Sequence, residues 1–184
     1  MTLLGLTVRR LADASSPTAL IGGVALAVHG ITRYTEDADL LSADVRILSS
    51  AFWEILRKEG ANVEVRRGDY DDPLRGVVRL TADGERPVDV VVGRSAWHEH
   101  AISRRLILHV AGEDLPVVDP ADLVLLKLEA GGPQDLLDIR LLLAGPEGKA
   151  IRADVETRIV SLDAVLRAAW AALPPPSSTP DRDP

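Results

Sequence analysis

The chain has 184 residues, enough for one well-buried domain and cramped for a second. Its 46% hydrophobic content is that of a globular protein, yet only 3% of residues are aromatic, so alanine, valine and leucine must build the core. The lack of cysteine excludes a disulfide framework or a thiolate zinc site, and a net charge of −7 argues against a surface that coats nucleic acid.

The first segment, residues 2–14, is apolar at Leu3, Leu4, Leu6, Val8 and Leu11 and reads as a helix, which Pro17 ends. Arg9 and Arg10 follow too few apolar residues for a signal peptide, and no stretch approaches the ~20 apolar residues of a membrane span. These features predict a soluble cytoplasmic protein with no membrane partner. A short buried strand is expected at 18–21. The Gly22–Gly23 turn leads from it into a short helix at 24–29, closed by Gly30.

Residues 36–41 read as the next strand. Val45, Leu48, Phe52, Ile55 and Leu56 then recur at helical spacing until Gly60. Strands are expected at 62–66, 76–81 and 88–92, the last two joined through Ala82-Asp83-Gly84-Glu85 as a hairpin. A second hairpin pairs 106–110 with 115–118. Asp119-Pro120-Ala121-Asp122 combines an N-cap acceptor with proline at the first helical position, so a helix should run to Glu129. Further helices are expected at 134–143 and 150–172. The proline- and serine-rich residues 173–184 read as a disordered tail. The expected architecture is a single α/β (α+β) domain over 1–172. Its catalytic part is a small mixed sheet flanked by helices at 18–118, and 119–172 form a helical C-terminal third.

Asp-x-Asp pairs occur at Asp37/Asp39, Asp69/Asp71 and Asp181/Asp183. The last lies in the tail and the second in a polar loop, where carboxylates are simply solvated. Only Asp37/Asp39 heads an apolar strand, where side chains two apart share a face while Ala38 and Leu40 turn to the other layer. Asp89 sits inside Pro87-Val-Asp-Val-Val-Val92. Either it is buried, at a cost of roughly 2 kcal/mol or more unless a cation compensates it, or it opens an edge strand and faces water. Gly22 and Gly23, between strand and helix, allow close approach of backbone to a phosphate, although such a turn is often only a turn. Nucleotidyl transfer needs this set: carboxylates around one point can hold divalent ions about 4 Å apart, and hard oxygen ligands suit magnesium.

Ala19-Leu-Ile-Gly-Gly-Val-Ala-Leu-Ala-Val-His-Gly-Ile-Thr-Arg-Tyr-Thr-Glu-Asp-Ala-Asp-Leu-Leu41 resembles the signature of AbiEii-type nucleotidyltransferases of the polymerase-β-like superfamily. The resemblance implies the nucleotidyltransferase fold, an NTP substrate, two Mg2+ ions at Asp37, Asp39 and Asp89, and triphosphate held by Gly22 and Gly23. The stretch from Leu115 to Ala130, with Asp135 and Asp138 after it, is similar to the family's Leu-x-x-Leu-Lys-Leu helix and acidic pair. It implies that Lys127 faces the nucleotide phosphates; by itself the residue would read as a snorkelling lysine. Arg33 either contacts phosphate or pairs with Glu36, and phosphate is the preferred reading. Two departures stand out: Gly23 where many members carry serine, and Gln134 where a basic residue is frequent.

The resemblance further implies transfer of a nucleoside monophosphate to an RNA or protein acceptor in a toxin–antitoxin or phage-defence setting, with a cognate antitoxin or toxin as partner. The alternatives are an aminoglycoside or lincosamide nucleotidyltransferase, and a non-catalytic module that binds a partner. Trp97-His98-Glu99-His100 lacks a third ligand at zinc spacing, so a solvated helix start is expected there. His29 is expected to pack against the glycine turn.

Overall fold

Thr2 starts the first helix, α1 (Leu3–Asp13), by accepting a hydrogen bond from the Gly5 amide through its hydroxyl. This computed structural model describes residues 2–70, 72 and 74–173. Most of the expected tail, with its Asp181/Asp183 pair, and Asp71 of the Asp69/Asp71 pair lie outside the described residues. The chain divides into two compact units between Asp119 and Pro120.

In the first unit, α1 is followed by β1 (Thr18–Ile21), α2 (Gly22–Val28) and β2 (Ala38–Ser42). Then come α3 (Glu54–Lys58), β3 (Asn62–Arg67), β4 (Leu74–Thr81), β5 (Val88–Gly93), α4 (Ala96–Ser103), β6 (Leu106–Val110) and β7 (Glu113–Val117). Among the described residues the strands form one mixed sheet in the order β3-β4-β5-β2-β1-β7-β6. Both expected hairpins are present, as antiparallel β4–β5 and β6–β7. The pairing that matters most is β2 with β5, which is parallel and sets Asp39 beside Asp89. Val78, Leu80, Val88, Val90 and Val92 bury one face, together with Ala38 and Leu40 of β2. In β4 and β5 this is period-2 burial with one core side, whereas Leu40 and Leu41 of β2 are buried in succession, on both faces.

The expected helix between Val45 and Gly60 forms differently. Two 3₁₀ turns, Val45–Leu48 and Ser50–Trp53, precede the short α3. The carbonyls that would extend a regular helix are taken by side chains. Trp53 Nε1 donates to the Ile47 carbonyl at 2.7 Å, Arg67 to that of Leu48 at 3.0 Å, and the Arg10 guanidinium to that of Phe52 at 2.9 and 2.7 Å. Val45 and Ile55 are exposed in consequence, while Ile47 and Trp53 are buried. The strand expected at 36–41 begins later, at Ala38, so Asp37 stands one residue before it. His98 is another correction: its ring is fully buried within α4 rather than solvated.

The second unit is helical: α5 (Pro120–Ala130), α6 (Pro133–Ala144), α7 (Gly148–Ile159) and α8 (Ala164–Ala171). Where one helix was expected over 150–172 there are two. Ser161 and Leu162 close α7 by donating to the Arg158 and Ile159 carbonyls, and the Asp163 carboxylate accepts from the Leu166 amide at 2.8 Å to start α8. Leu123, Val124, Ile139, Leu142, Val155 and Ile159 form its apolar interior. Two groups of ion pairs sit among them, each centred on a buried aspartate. Asp122 pairs with Arg158 at 3.0 Å, and Lys127 pairs with Asp138 at 2.6 Å and Asp135 at 3.1 Å.

Candidate active site

Three carboxylates converge because two paired strands, and the bend before one of them, present them together. Asp39 of β2 lies opposite Asp89 of β5, and Asp89 in turn lies opposite Arg79 of β4. Asp37 joins them from the bend before β2, where Ala38 is anchored by donating to the Pro87 carbonyl at 2.9 Å. One oxygen from each of Asp37, Asp39 and Asp89 falls within 4.8 Å of the others. All three are partly exposed, so the cluster is reachable from solvent.

Asp89 is not on an edge strand. β5 runs between β4 and β2, and the side chain of Asp89 is only 15% exposed. Its Oδ2 accepts from Arg79 Nη1 at 2.8 Å, but its Oδ1 is buried with no hydrogen-bond partner among the described residues. Burial pushes the Asp89 carboxyl above its ordinary range; the Arg79 charge pulls the other way and the Asp37 charge adds to the rise. A buried carboxylate oxygen without a donor, flanked by two further carboxylates, is a site that Arg79 neutralises only in part. A divalent cation with oxygen preference fits it.

Gly22 bounds the cluster on the β1 side. Ile21 pairs with Asp39, so the next residue passes directly over the Asp39 carboxylate. Gly22 has φ +64°, and a Cβ there would collide with Asp39 Oδ2. Glycine is therefore required twice, by backbone conformation and by contact. The variant Gly22→Ala should lose about 1–2 kcal/mol from the left-handed backbone alone, and more as the Asp39 carboxylate is displaced. Urea unfolding of the variant beside the parent measures this loss. At Gly23 a Cβ would come within 2.8 Å of Thr35 Cβ and 2.9 Å of Thr35 Oγ1. The Thr35 side chain thus fills the space a serine would need. Its hydroxyl donates to the Asp37 carbonyl at 3.2 Å and to Asp37 Oδ1 at 3.4 Å, which orients that carboxylate.

The remaining expected residues are placed as follows. Arg33 lies in the loop between α2 and β2, and its Nη1 donates to the Tyr34 carbonyl at 3.1 Å. His29 Nε2 donates to the Val118 carbonyl at 2.8 Å, a structural hydrogen bond. Lys127 belongs to the helical unit, where Asp138 and Asp135 engage its ammonium, and Gln134 donates to the other Asp138 oxygen at 3.0 Å. The amide of Gln134 thus supplies a donor to Asp138 where the resemblance leads one to expect a charge.

Arg79 is the site residue that sequence reasoning missed. Its signal was present: an arginine inside an apolar strand, as far before Gly84 of the expected hairpin as Asp89 is after it. Beyond it a cleft of about 410 Å³ is lined by Arg66, Arg67, Gly76, Val77, Arg79 and Asp89.

Residues 8–179 match the family model described as nucleotidyl transferase AbiEii toxin, type IV toxin–antitoxin system. No match was found among curated proteins. Among solved structures, a putative nucleotidyltransferase from Thermotoga maritima is 15% identical, with a TM-score of 0.54 over 85% of this chain and 92% of its own. The antibiotic-resistance factor ANT(2'')-Ia is 17% identical, with a TM-score of 0.51 over 88% of this chain and 96% of its own. The lincosamide antibiotic adenylyltransferase LnuA, in its lincomycin-bound structure, is 12% identical, with a TM-score of 0.50 over 77% and 94%. At such identities these likenesses concern the fold, which all of them share with this chain.

Proposed function

The chain belongs to the AbiEii nucleotidyltransferase family, and from that membership we propose that it transfers a nucleoside monophosphate from an NTP to an RNA acceptor, within a toxin–antitoxin pair that includes a cognate antitoxin. The observation that carries the reading is the convergence of Asp37, Asp39 and Asp89, with one buried Asp89 oxygen lacking a donor. Asp37, Asp39 and Asp89 would hold Mg2+, and the metal would supply positive charge against the phosphoryl oxygens during displacement.

In the reaction an acceptor hydroxyl loses its proton to solvent and forms a bond to the α-phosphorus, the bond from that phosphorus to the oxygen bridging it to the β-phosphorus breaks, and pyrophosphate leaves with that oxygen. The chain's residues prepare the two ends. Gly22 and Gly23 let bare backbone lie against Asp39 and Thr35, and their amides would meet the triphosphate. Arg33 supplies a cation for its charge. Thr35 fixes the direction of the Asp37 carboxylate through its two hydrogen bonds.

The cleft beside Asp89 supports an RNA acceptor. Arg66, Arg67 and Arg79 line it beside Asp72 and Asp89, and its three guanidinium groups suit an anionic RNA end better than a cationic aminoglycoside. That charge favours RNA over the drug-modifying reading. A purified chain incubated with each α-³²P-labelled NTP, Mg2+ and tRNA should move label to the RNA. Label moving only to a protein or an aminoglycoside would reassign the acceptor. No transfer, with no metal-dependent NTP binding by calorimetry, would leave a partner-binding module on the same fold.

A further inference from the structure

We infer that Arg79 is the built-in counter-ion of the third carboxylate and withholds Asp89 from a divalent ion until the guanidinium moves aside. The inference rests on the metal-site reading above and adds an order to it. Asp37 and Asp39 accept an ion first, and Asp89 joins only when Arg79 releases it.

Three observations carry it. Arg79 is held opposite Asp89 by the β4–β5 register, which keeps its guanidinium within reach of that carboxylate. The contacts are one-sided: Nη1 lies 2.8 Å from Asp89 Oδ2 and 3.8 Å from Asp37 Oδ2, while Asp89 Oδ1 stays buried without a donor. One monovalent group therefore covers part of the third carboxylate and reaches toward a second. An ion shared by all three carboxylates is repelled by the adjacent Arg79 charge and competes with it directly for Asp89 Oδ2.

The structure also gives the guanidinium somewhere to go. The Arg79 side chain is 40% exposed, against 15% for Asp89, and it borders the cleft it shares with Arg66 and Arg67. Asp89 sits in an interior strand and cannot follow. Movement of Arg79 alone is thus sufficient to open the third ligand. A phosphate entering the cleft would draw the guanidinium away from Asp89 and so couple acceptor arrival to completion of the ion site.

The test is divalent-ion binding by the full chain without nucleotide, read as free Mn2+ by electron paramagnetic resonance. The parent is compared with Arg79→Gln and Arg79→Lys, each checked for folding by circular dichroism. Removing a positive charge from within 4 Å of two ligands should tighten binding about tenfold or more in Arg79→Gln, whereas Arg79→Lys should stay near the parent. An Arg79→Gln isotherm that overlies the parent's, or is weaker, overturns the inference. A second measurement uses the parent itself. The Arg79 side-chain Nε–H resonance should shift as Mg2+ fills the site at high concentration, and a resonance unmoved at saturation also overturns it. Failure of the underlying metal reading has a different signature, in which an Asp37→Ala variant binds Mn2+ as the parent does.

Discussion

Asp89→Asn should abolish nucleotidyl transfer, by about a thousandfold or more, while leaving the metal-free chain at least as stable as the parent at neutral pH. The loss follows from ligation. Asparagine keeps the shape and can still accept from Arg79, but it lacks the charge that holds an ion, and a metal's contribution to such a displacement is several kcal/mol, each ~1.4 kcal/mol being tenfold in rate. The retained stability follows from burial. Burial raises the Asp89 pKa above its unfolded value in spite of Arg79. A group so shifted contributes stability that is fully present below its unfolded pKa and is lost as pH rises through the folded pKa. At neutral pH the ionised carboxylate therefore works against the fold, and the amide does not. Urea titrations in EDTA at several pH values should show the parent gaining on Asp89→Asn as pH falls through the folded pKa of Asp89. A transfer rate for the variant within tenfold of the parent would remove Asp89 from the metal site.

The second large effect belongs to the helical unit. Lys127→Met should cost about 3–5 kcal/mol of stability, the usual penalty for stranding a buried charge. Asp138 is fully buried and Lys127 is 5% exposed, so no water replaces the lost ammonium at Asp138 Oδ2. Asp135, which is 27% exposed, is rehydrated more cheaply. Pairing the change with Asp138→Leu should recover much of the loss, because an apolar pair of similar volume often serves as well as a buried ion pair. Chemical denaturation of the single and double variants checks this. The double variant also separates two roles for Lys127. Restored stability without transfer would assign the lysine to the nucleotide, and restored stability with transfer would make it a counter-ion for Asp138 alone.

The carboxylates were legible because their chemistry is local: an acid two residues from another at the head of an apolar strand, and an acid inside a valine run. What the sequence left open at Asp89 was the strand's place in the sheet, which depends on the distant pairing of β5 with β2. Arg79 was hidden for a related reason. Its partner is set by hairpin register, and only counting outward from Gly84 brings residues 79 and 89 together. The segment from Val45 to Lys58 was misread because the groups that break its helical hydrogen bonding, Arg10 and Arg67, arrive from other elements. Asp163, by contrast, was an ordinary N-cap signal inside an apolar stretch, and a break before α8 was readable there.

Parallel pairing of β2 with β5 also fixes when the site can exist. Parallel neighbours need a long crossover, and here β3 and β4 are made between the two strands that carry Asp39 and Asp89. On the ribosome, a growing chain that has emerged only as far as β4 already holds Asp37 and Asp39, yet β2 has no neighbour on its β5 side. Synthesis must pass Gly93 before the third carboxylate can dock, so a prematurely terminated product ending short of β5 carries an Asp-x-Asp strand and no assembled centre.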